Sequence, residues 1–248
     1  MTVDRTFKAA WVLIVIFLLT SCGAIPENGG VLDGEGEIKG ILDDDNTNKD
    51  KPEEDNHQTQ IPNNDSESVF ERAKKAAVTI HPLDQNGEIL AVASGVIISD
   101  YLIATNFHVI EEATSFKVTY NANQNVVYTN NVFKIDEHHD VAILQVHDPQ
   151  QNLIQFDTEE PKIGDDVIVA GSPSGLDGTV SKGIVSAYRI QDPFDYDVLQ
   201  IDAPISPGSS GGPVLNKSGL LIGISMSGMR EGNLNFAVPA KYIKRLLD

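Results

Sequence analysis

The chain is expected to be an all-β protein of two lobes, with a short helix at each end of its folded part. Three observations predict this. Short β-branched apolar runs recur between residues 78 and 238, each bounded by Gly, Asn, Asp or Pro turn signals. The pattern occurs twice, with a break near Gln155 to Gly164. Strands alternating with long helical stretches, the mark of a parallel sheet, are absent from the pattern, so antiparallel barrels or sandwiches fit the spacing.

Taken in order, Ser68-Val69-Phe70-Glu71 reads as a capping box, which predicts a short helix from there to about Ala77. The first lobe, about 78–155, should carry strands at Val78 to His81, Leu90 to Ser99, Leu102 to Thr105, Phe116 to Tyr120, Val126 to Phe133 and Val141 to Val146. The second, about 164–240, should carry strands at Asp166 to Ala170, Thr179 to Arg189, Val198 to Asp202, Pro213 to Leu215, Leu220 to Ser227 and Leu234 to Val238. A short terminal helix follows. The span 67–248 is long enough to bury a sizeable core as one two-lobed unit.

Two segments of different character come first. Arg5 and Lys8 precede the apolar run Ala9 to Leu19, which is short for a membrane span but suits the core of a secretory signal; an uncleaved anchor is the alternative. The ending Leu19-Thr20-Ser21-Cys22 resembles a bacterial lipobox. Residues 1–21 are therefore expected to form a lipoprotein signal peptide, with Cys22 acylated, for example by palmitate, and first in the mature chain. Cys22 is the one cysteine of the chain, so internal disulfides are excluded although export is expected.

Residues 22–66 should form an acidic, disordered tether. From 23 to 66 there are 12 acidic against 3 basic residues and no aromatic one, too little apolar surface to offset the entropy of ordering. As a flexible coil it would reach about 35–40 Å. Its acids lack the spacing of a calcium-binding loop. The segment carries half of the chain's net charge of −18, and an acidic tether on an acidic domain argues against a nucleic-acid partner.

The chemistry is concentrated in Ser206-Pro207-Gly208-Ser209-Ser210-Gly211-Gly212-Pro213, a glycine-rich turn between apolar runs. Such a turn can present a serine hydroxyl and let the amides of Gly208 and Ser210 converge as an oxyanion hole, although similar turns are also ordinary surface connections. A serine nucleophile needs a base and an orienting carboxylate. His108 follows a predicted strand, and Asp140 opens another. Each has a bland reading, as core histidine and as strand-end cap, but the order His, Asp, Ser is that of one known triad arrangement. His138 and His139 could join Asp140 and His147 in a metal site, but neighbours on a strand face opposite ways and no Cys or Glu pattern supports it. His57 and His81 are expected to face solvent.

Four segments together resemble the HtrA/Deg family of trypsin-like serine proteases, which have the chymotrypsin fold. They are Thr105 to Ile110, Asp140 to Leu144, Gly208 to Pro213, and Gly171-Ser172-Pro173-Ser174-Gly175-Leu176 leading to Gly183 to Ala187; Asn235 to Pro239 adds to the likeness. The resemblance covers about residues 67–248. It implies two antiparallel β-barrels with the site between them, a serine-type endopeptidase of the bacterial cell envelope engaged in protein quality control, and no metal or organic cofactor. His108, Asp140 and Ser210 would be the triad, and Gly208 and Ser210 the oxyanion donors. Ile205, Ile224, Ser225 and Met226 would border the substrate pocket. Pro204 stands where digestive trypsin has its pocket acid, which implies cleavage after small to medium aliphatic residues.

The resemblance also sets expectations about what lies around the domain. Many family chains continue into PDZ domains, and none is expected after Asp248. Ser209 replaces the Asn usual before the nucleophile, and with no acid there, zymogen activation of the digestive kind is not expected. Partners would be polypeptide substrates, unfolded or damaged, and a membrane reached through Cys22, on the outer side of the cytoplasmic membrane or in the outer membrane. A homotrimer is usual in the family, but the segment that commonly builds it is replaced here by the acidic linker. A tethered chaperone-like or peptide-binding module, its protease fold inactive at rest, is the alternative function.

Overall fold

The structure, a computed structural model, describes residues 65–190, 195–229 and 234–248. The expected signal peptide, Cys22, nearly all of the expected tether and His57 lie outside the described residues. Helix α1 (Asp65–Ala76) leads into seven strands: β1 (Ala77–Leu83), β2 (Ala93–Ser99), β3 (Leu102–Thr105), β4 (Ser115–Tyr120), β5 (Val126–Thr129), β6 (Val132–Asp136) and β7 (Val141–Gln145). A single helical turn, α2 (Phe107–Ile110), sits between β3 and β4. The second lobe holds β8 (Asp166–Gly171), β9 (Thr179–Arg189), β10 (Val198–Ile201), β11 (Pro213–Asn216), β12 (Leu221–Met229) and β13 (Leu234–Pro239), and helix α3 (Ala240–Leu247) ends the chain. The all-β class and the antiparallel pairing are as expected.

The two lobes differ in closure. The second is a closed barrel in the order β10-β13-β12-β11-β8-β9, whereas the first is a seven-stranded sheet, β5-β4-β1-β2-β3-β7-β6, with β5 and β6 at its edges. One continuous strand was expected at Val126 to Phe133. Instead the chain turns at Asn130-Asn131, and the halves become the two edges: β5 pairs with β4, and β6 with β7. Asn is a favoured turn residue, and the apolar pattern on either side masked it. One helix expectation also needs correction: Ser68 lies inside α1, so Ser68–Glu71 does not mark its start. The turn carrying His108, which follows its strand as expected, is helical.

Burial explains why many strands read as unbroken apolar runs. Along β8, Val167 and Val169 pack inside the second lobe, while Ile168 and Ala170 face a core shared with the first. Strand β7 does the same in reverse, with Ala142 and Leu144 inside the first lobe and Val141 and Ile143 in the shared core. Side chains alternate across a strand, so one covered on both faces must be apolar throughout. Both terminal helices join the shared core, α1 through Val69, Ala73 and Ala76, and α3 through Tyr242 and Ile243. The residues that bring the lobes together therefore form a core that both share.

Candidate active site

His108 and Asp140 form a closed pair within the first lobe. The extended backbone of Asn106 (φ −78°, ψ 152°) ends β3 and starts α2, leaving the first helical amides without intrahelical acceptors. The Asp140 carboxylate uses one of them: the His108 backbone N–H donates to Oδ1 at 2.9 Å. The imidazole Nδ1 meets the same carboxylate at 2.8 Å to Oδ2 and 3.1 Å to Oδ1. One carboxylate thereby sets both the helix turn and the ring. From the buried Asn106 side chain, Nδ2 donates to the Asp140 carbonyl at 3.1 Å. Asp140 sits in the left-handed region at φ 55°, which Asp tolerates better than most residues and which here is over-determined by its contacts.

This geometry leaves Nε2 of His108 free of the carboxylate. Burial lowers the imidazole pKa, but the Asp140 hydrogen bond, its charge and the charge of Glu111 outweigh that effect, and the net shift is upward from 6.5. The carboxylate therefore favours the imidazolium, the form a general base reaches after taking a proton.

The serine turn comes from the second lobe. Ser206-Pro207-Gly208-Ser209 closes with Ser209 N–H donating to the Ser206 carbonyl at 2.9 Å, with Pro second and Gly third at φ +100°, a type II turn. A Cβ at Gly208 would also lie 2.5 Å from the Ser172 carbonyl oxygen. Ser174 N–H donates to the Pro207 carbonyl at 2.8 Å. Since the C=O and N–H of a trans peptide point opposite ways, the Gly208 N–H is aimed away from that loop. Ser210 follows, only 4% exposed.

Strand β2 of the first lobe locks this turn in place. Ser94 N–H donates to the Ser210 carbonyl at 2.8 Å. The Ser94 hydroxyl donates to the Gly208 carbonyl at 2.7 Å and accepts from Ser172 N–H at 2.9 Å. Thr105, three residues before His108, donates its hydroxyl to the Ser94 carbonyl at 2.8 Å. The fit is close: a Cβ at Gly211 (φ +88°) would lie 2.2 Å from both Ser94 O and Thr105 Oγ1. The turn bearing Ser210 is thus seated on the strands that lead to His108. Ser94, Thr105 and Ser172 were not foreseen as site residues. Thr105 and Ser172 lay within two of the motif segments, and Ser94 was signalled only as a serine in a mostly apolar run.

The expected pocket residues divide. Ile205 is half-buried and packs on the second lobe's core. Ile224 has no exposed surface and belongs to the shared core, and Met226, 6% exposed, belongs there too. Ser225 is also fully buried. Its hydroxyl donates to the Ser209 carbonyl at 2.6 Å, while Gly211 N–H donates to the Ser225 carbonyl at 2.8 Å. The Ile224 side chain is packed in the shared core, and that of Ser225 holds the serine turn in place. Pro204 is exposed, and its carbonyl accepts the Ser181 hydroxyl at 2.9 Å.

The other histidines sit apart from this chemistry. His139 pairs with Asp136 at 2.6 Å and stacks on Tyr242 at 3.9 Å between ring centroids, while His138 lies 3.7 Å from Asp195. Among the described residues no group of three metal-ligating side chains converges. His81 is half-buried, with a buried Nδ1, and not simply solvent-facing; burial, then Lys117, lowers its pKa.

An antiparallel two-lobed fold with a His–Asp pair in one lobe and a glycine-framed serine turn in the other fits the trypsin-like class of peptidase domains. Residues 93–224, more than half of the chain, match the trypsin-like peptidase domain family, and the chain belongs to it, with HtrA-like relatives. A probable periplasmic serine endoprotease, DegP-like, of Chlamydia trachomatis is 36% identical over 167 residues, covering 62% of this chain and 33% of that protein. The magnetosome formation protease MamE of Magnetospirillum gryphiswaldense is 36% identical over 163 residues, covering 60% and 21%. Among solved structures, the serine endoprotease from Yersinia pestis superposes with a TM-score of 0.65 at 30% identity, covering 73% of this chain and 65% of that one. The HtrA-type protease AlgW with tripeptide gives 0.67 at 26%, covering 73% and 62%. The chain spans about a third of the length of the DegP-like relatives it matches.

Proposed function

We propose that this domain is a serine endopeptidase in which His108, Asp140 and Ser210 act as a triad. The observation that carries the reading is the seating of the Ser210 turn on Ser94 and Thr105, immediately before the His108–Asp140 pair. His108 takes the Ser210 proton as the hydroxyl oxygen attacks the scissile carbonyl, and Asp140 holds the imidazole in the required tautomer. The N–H groups of Gly208 and Ser210 stabilise the oxyanion. His108 then protonates the leaving amine, and water releases the acyl group from Ser210.

The substrates are polypeptides of the bacterial envelope, unfolded or damaged, cut after small to medium aliphatic residues. Support comes from the names of the periplasmic relatives and from Pro204, which leaves the pocket without an acid six residues before the nucleophile. A signal peptide over 1–21 and lipidation at Cys22 would hold the domain on a membrane through the acidic segment 22–66. Casein hydrolysis by the wild-type chain, lost in Ser210→Ala, together with a fluorophosphonate adduct on Ser210, is the expected result. No adduct with or without unfolded protein present would discard this reading in favour of a tethered peptide-binding module.

A further inference from the structure

A buried hydroxyl network connects the first lobe to the loop beneath the serine turn. Thr79 Oγ1 lies 2.6 Å from Asp177 Oδ1, 2.5 Å from Ser172 Oγ and 3.3 Å from the Asn121 side-chain amide. Thr79 and Ser172 are at most 1% exposed, and Asn121 is 8% exposed. A hydroxyl has one proton to give, and the carboxylate is the strongest acceptor among these neighbours. Thr79 therefore donates to Asp177, and the Ser172 hydroxyl donates to Thr79. The Asn121 amide completes the set when its NH2 faces Thr79, since its Nδ2 otherwise has no partner. Asp177 thus orders a row of hydroxyls running from an exposed loop residue into the buried base of the cleft.

That row ends at the turn preceding Ser210. Ser172 N–H donates to Ser94 Oγ, and Ser94 Oγ–H donates to the Gly208 carbonyl. Two residues along the same loop, Ser174 N–H donates to the Pro207 carbonyl. Both peptide groups flanking Gly208 are therefore held by loop 172–177 or by Ser94, and the direction of the Gly208 N–H follows from theirs. Loops carry few restraints of their own, and this one contains Ser174 in the left-handed region at φ 52°. Its link through Thr79 to β1 fixes it to the rigid sheet of the other lobe.

We infer that Asp177 is a positioning residue for the oxyanion turn, acting through Thr79 and Ser172. The inference rests on the reading of Gly208 N–H as an oxyanion donor. In the chain as it exists, Asp177→Ala and Thr79→Val should lower kcat for a chromogenic peptide with valine at P1 by about 10- to 100-fold, the scale of a misplaced catalytic group, with KM within about twofold. Asp177→Asn keeps an acceptor oxygen for Thr79 and should restore kcat to within about threefold of wild type. A kcat unchanged in Asp177→Ala, or a loss that Asp177→Asn does not restore, overturns the inference.

Hydrogen exchange separates this idea from the activity itself. In Asp177→Ala the amides of 206–210 should lose protection while those of β11 and β8 keep theirs. Unchanged protection at 206–210 overturns the positioning role whether or not the chain cuts peptides. Loss of protection through the whole second lobe overturns it equally, because the residue would then be supporting the fold. In the unsubstituted chain, no hydrolysis and no Ser210 adduct although the amides of 206–210 are protected would count against the catalytic reading.

Discussion

The first lobe supplies both members of the His108–Asp140 pair, whereas the serine turn of the second draws on both lobes. Every contact between His108, Asn106 and Asp140 lies within the open sheet, two of them through one carboxylate. The serine turn of the closed barrel is held partly from its own lobe, by Ser174 and Ser225, and partly from outside, by Ser94 of the first lobe, whose carbonyl Thr105 anchors. Closure and self-sufficiency do not go together here. A closed barrel satisfies its strands, but the turn between β10 and β11 leaves the barrel and must find partners for its own peptide groups. The lobe interface is therefore part of the nucleophile's setting, while the base and acid would keep their geometry with less dependence on it.

This division predicts a graded set of effects. The largest is expected within the first lobe: Asp140→Asn should reduce kcat by about 10⁴-fold through the wrong imidazole tautomer, with the fold retained by circular dichroism. Ser94→Ala should reduce kcat by about 10- to 100-fold and leave the His108 titration where it was, because only the serine turn loses a support. A Ser94→Ala enzyme with wild-type kcat would erase the proposed dependence of the second lobe on the first. Gly211→Ala should go further than Ser94→Ala in loss of protein, since its Cβ would collide with Ser94 and Thr105; the yield of soluble, folded chain measures it.

The remaining expectations are smaller. His108 must be neutral to act as base, and its pKa is raised above 6.5, so kcat/KM should fall as pH drops through an apparent value above 6.5. In Asp140→Asn that inflection should move to lower pH. The linked stability has the opposite sense: the pairing stabilises the fold fully below the unfolded-state pKa and is lost as pH rises through the raised folded value. Ile143→Ala, in the core shared by both lobes, should cost about 2–5 kcal/mol in urea unfolding. A single cooperative transition in that experiment would show the lobes unfolding together, and two transitions would show that the division extends to stability.

Much of the strand inventory was legible because turn residues and β-branched runs are local signals. The exceptions were Asn130-Asn131, where apolar residues on both sides hid a turn, and α2, one turn of helix too short to leave a periodic trace. His108, Asp140 and the Gly208 to Pro213 turn stood out through their flanking motifs. The roles of Ile224 and Ser225 did not, because position along a strand does not say which face a neighbouring loop will cover.

Residue order alone carried the all-β class, the two-lobed repeat, the family resemblance and the identity of the candidate base, acid and nucleophile. Those depend on pattern and composition, which are properties of short stretches. The open edge of the first lobe, the seating of Ser210 on Ser94 and Thr105, and the Thr79–Ser172–Asp177 row arose from contacts between residues distant in the chain, Ser94 and Gly208 being 114 positions apart. A hydroxyl in a sequence names a donor and an acceptor, and its partner is settled only when folding brings distant strands to hydrogen-bond distance.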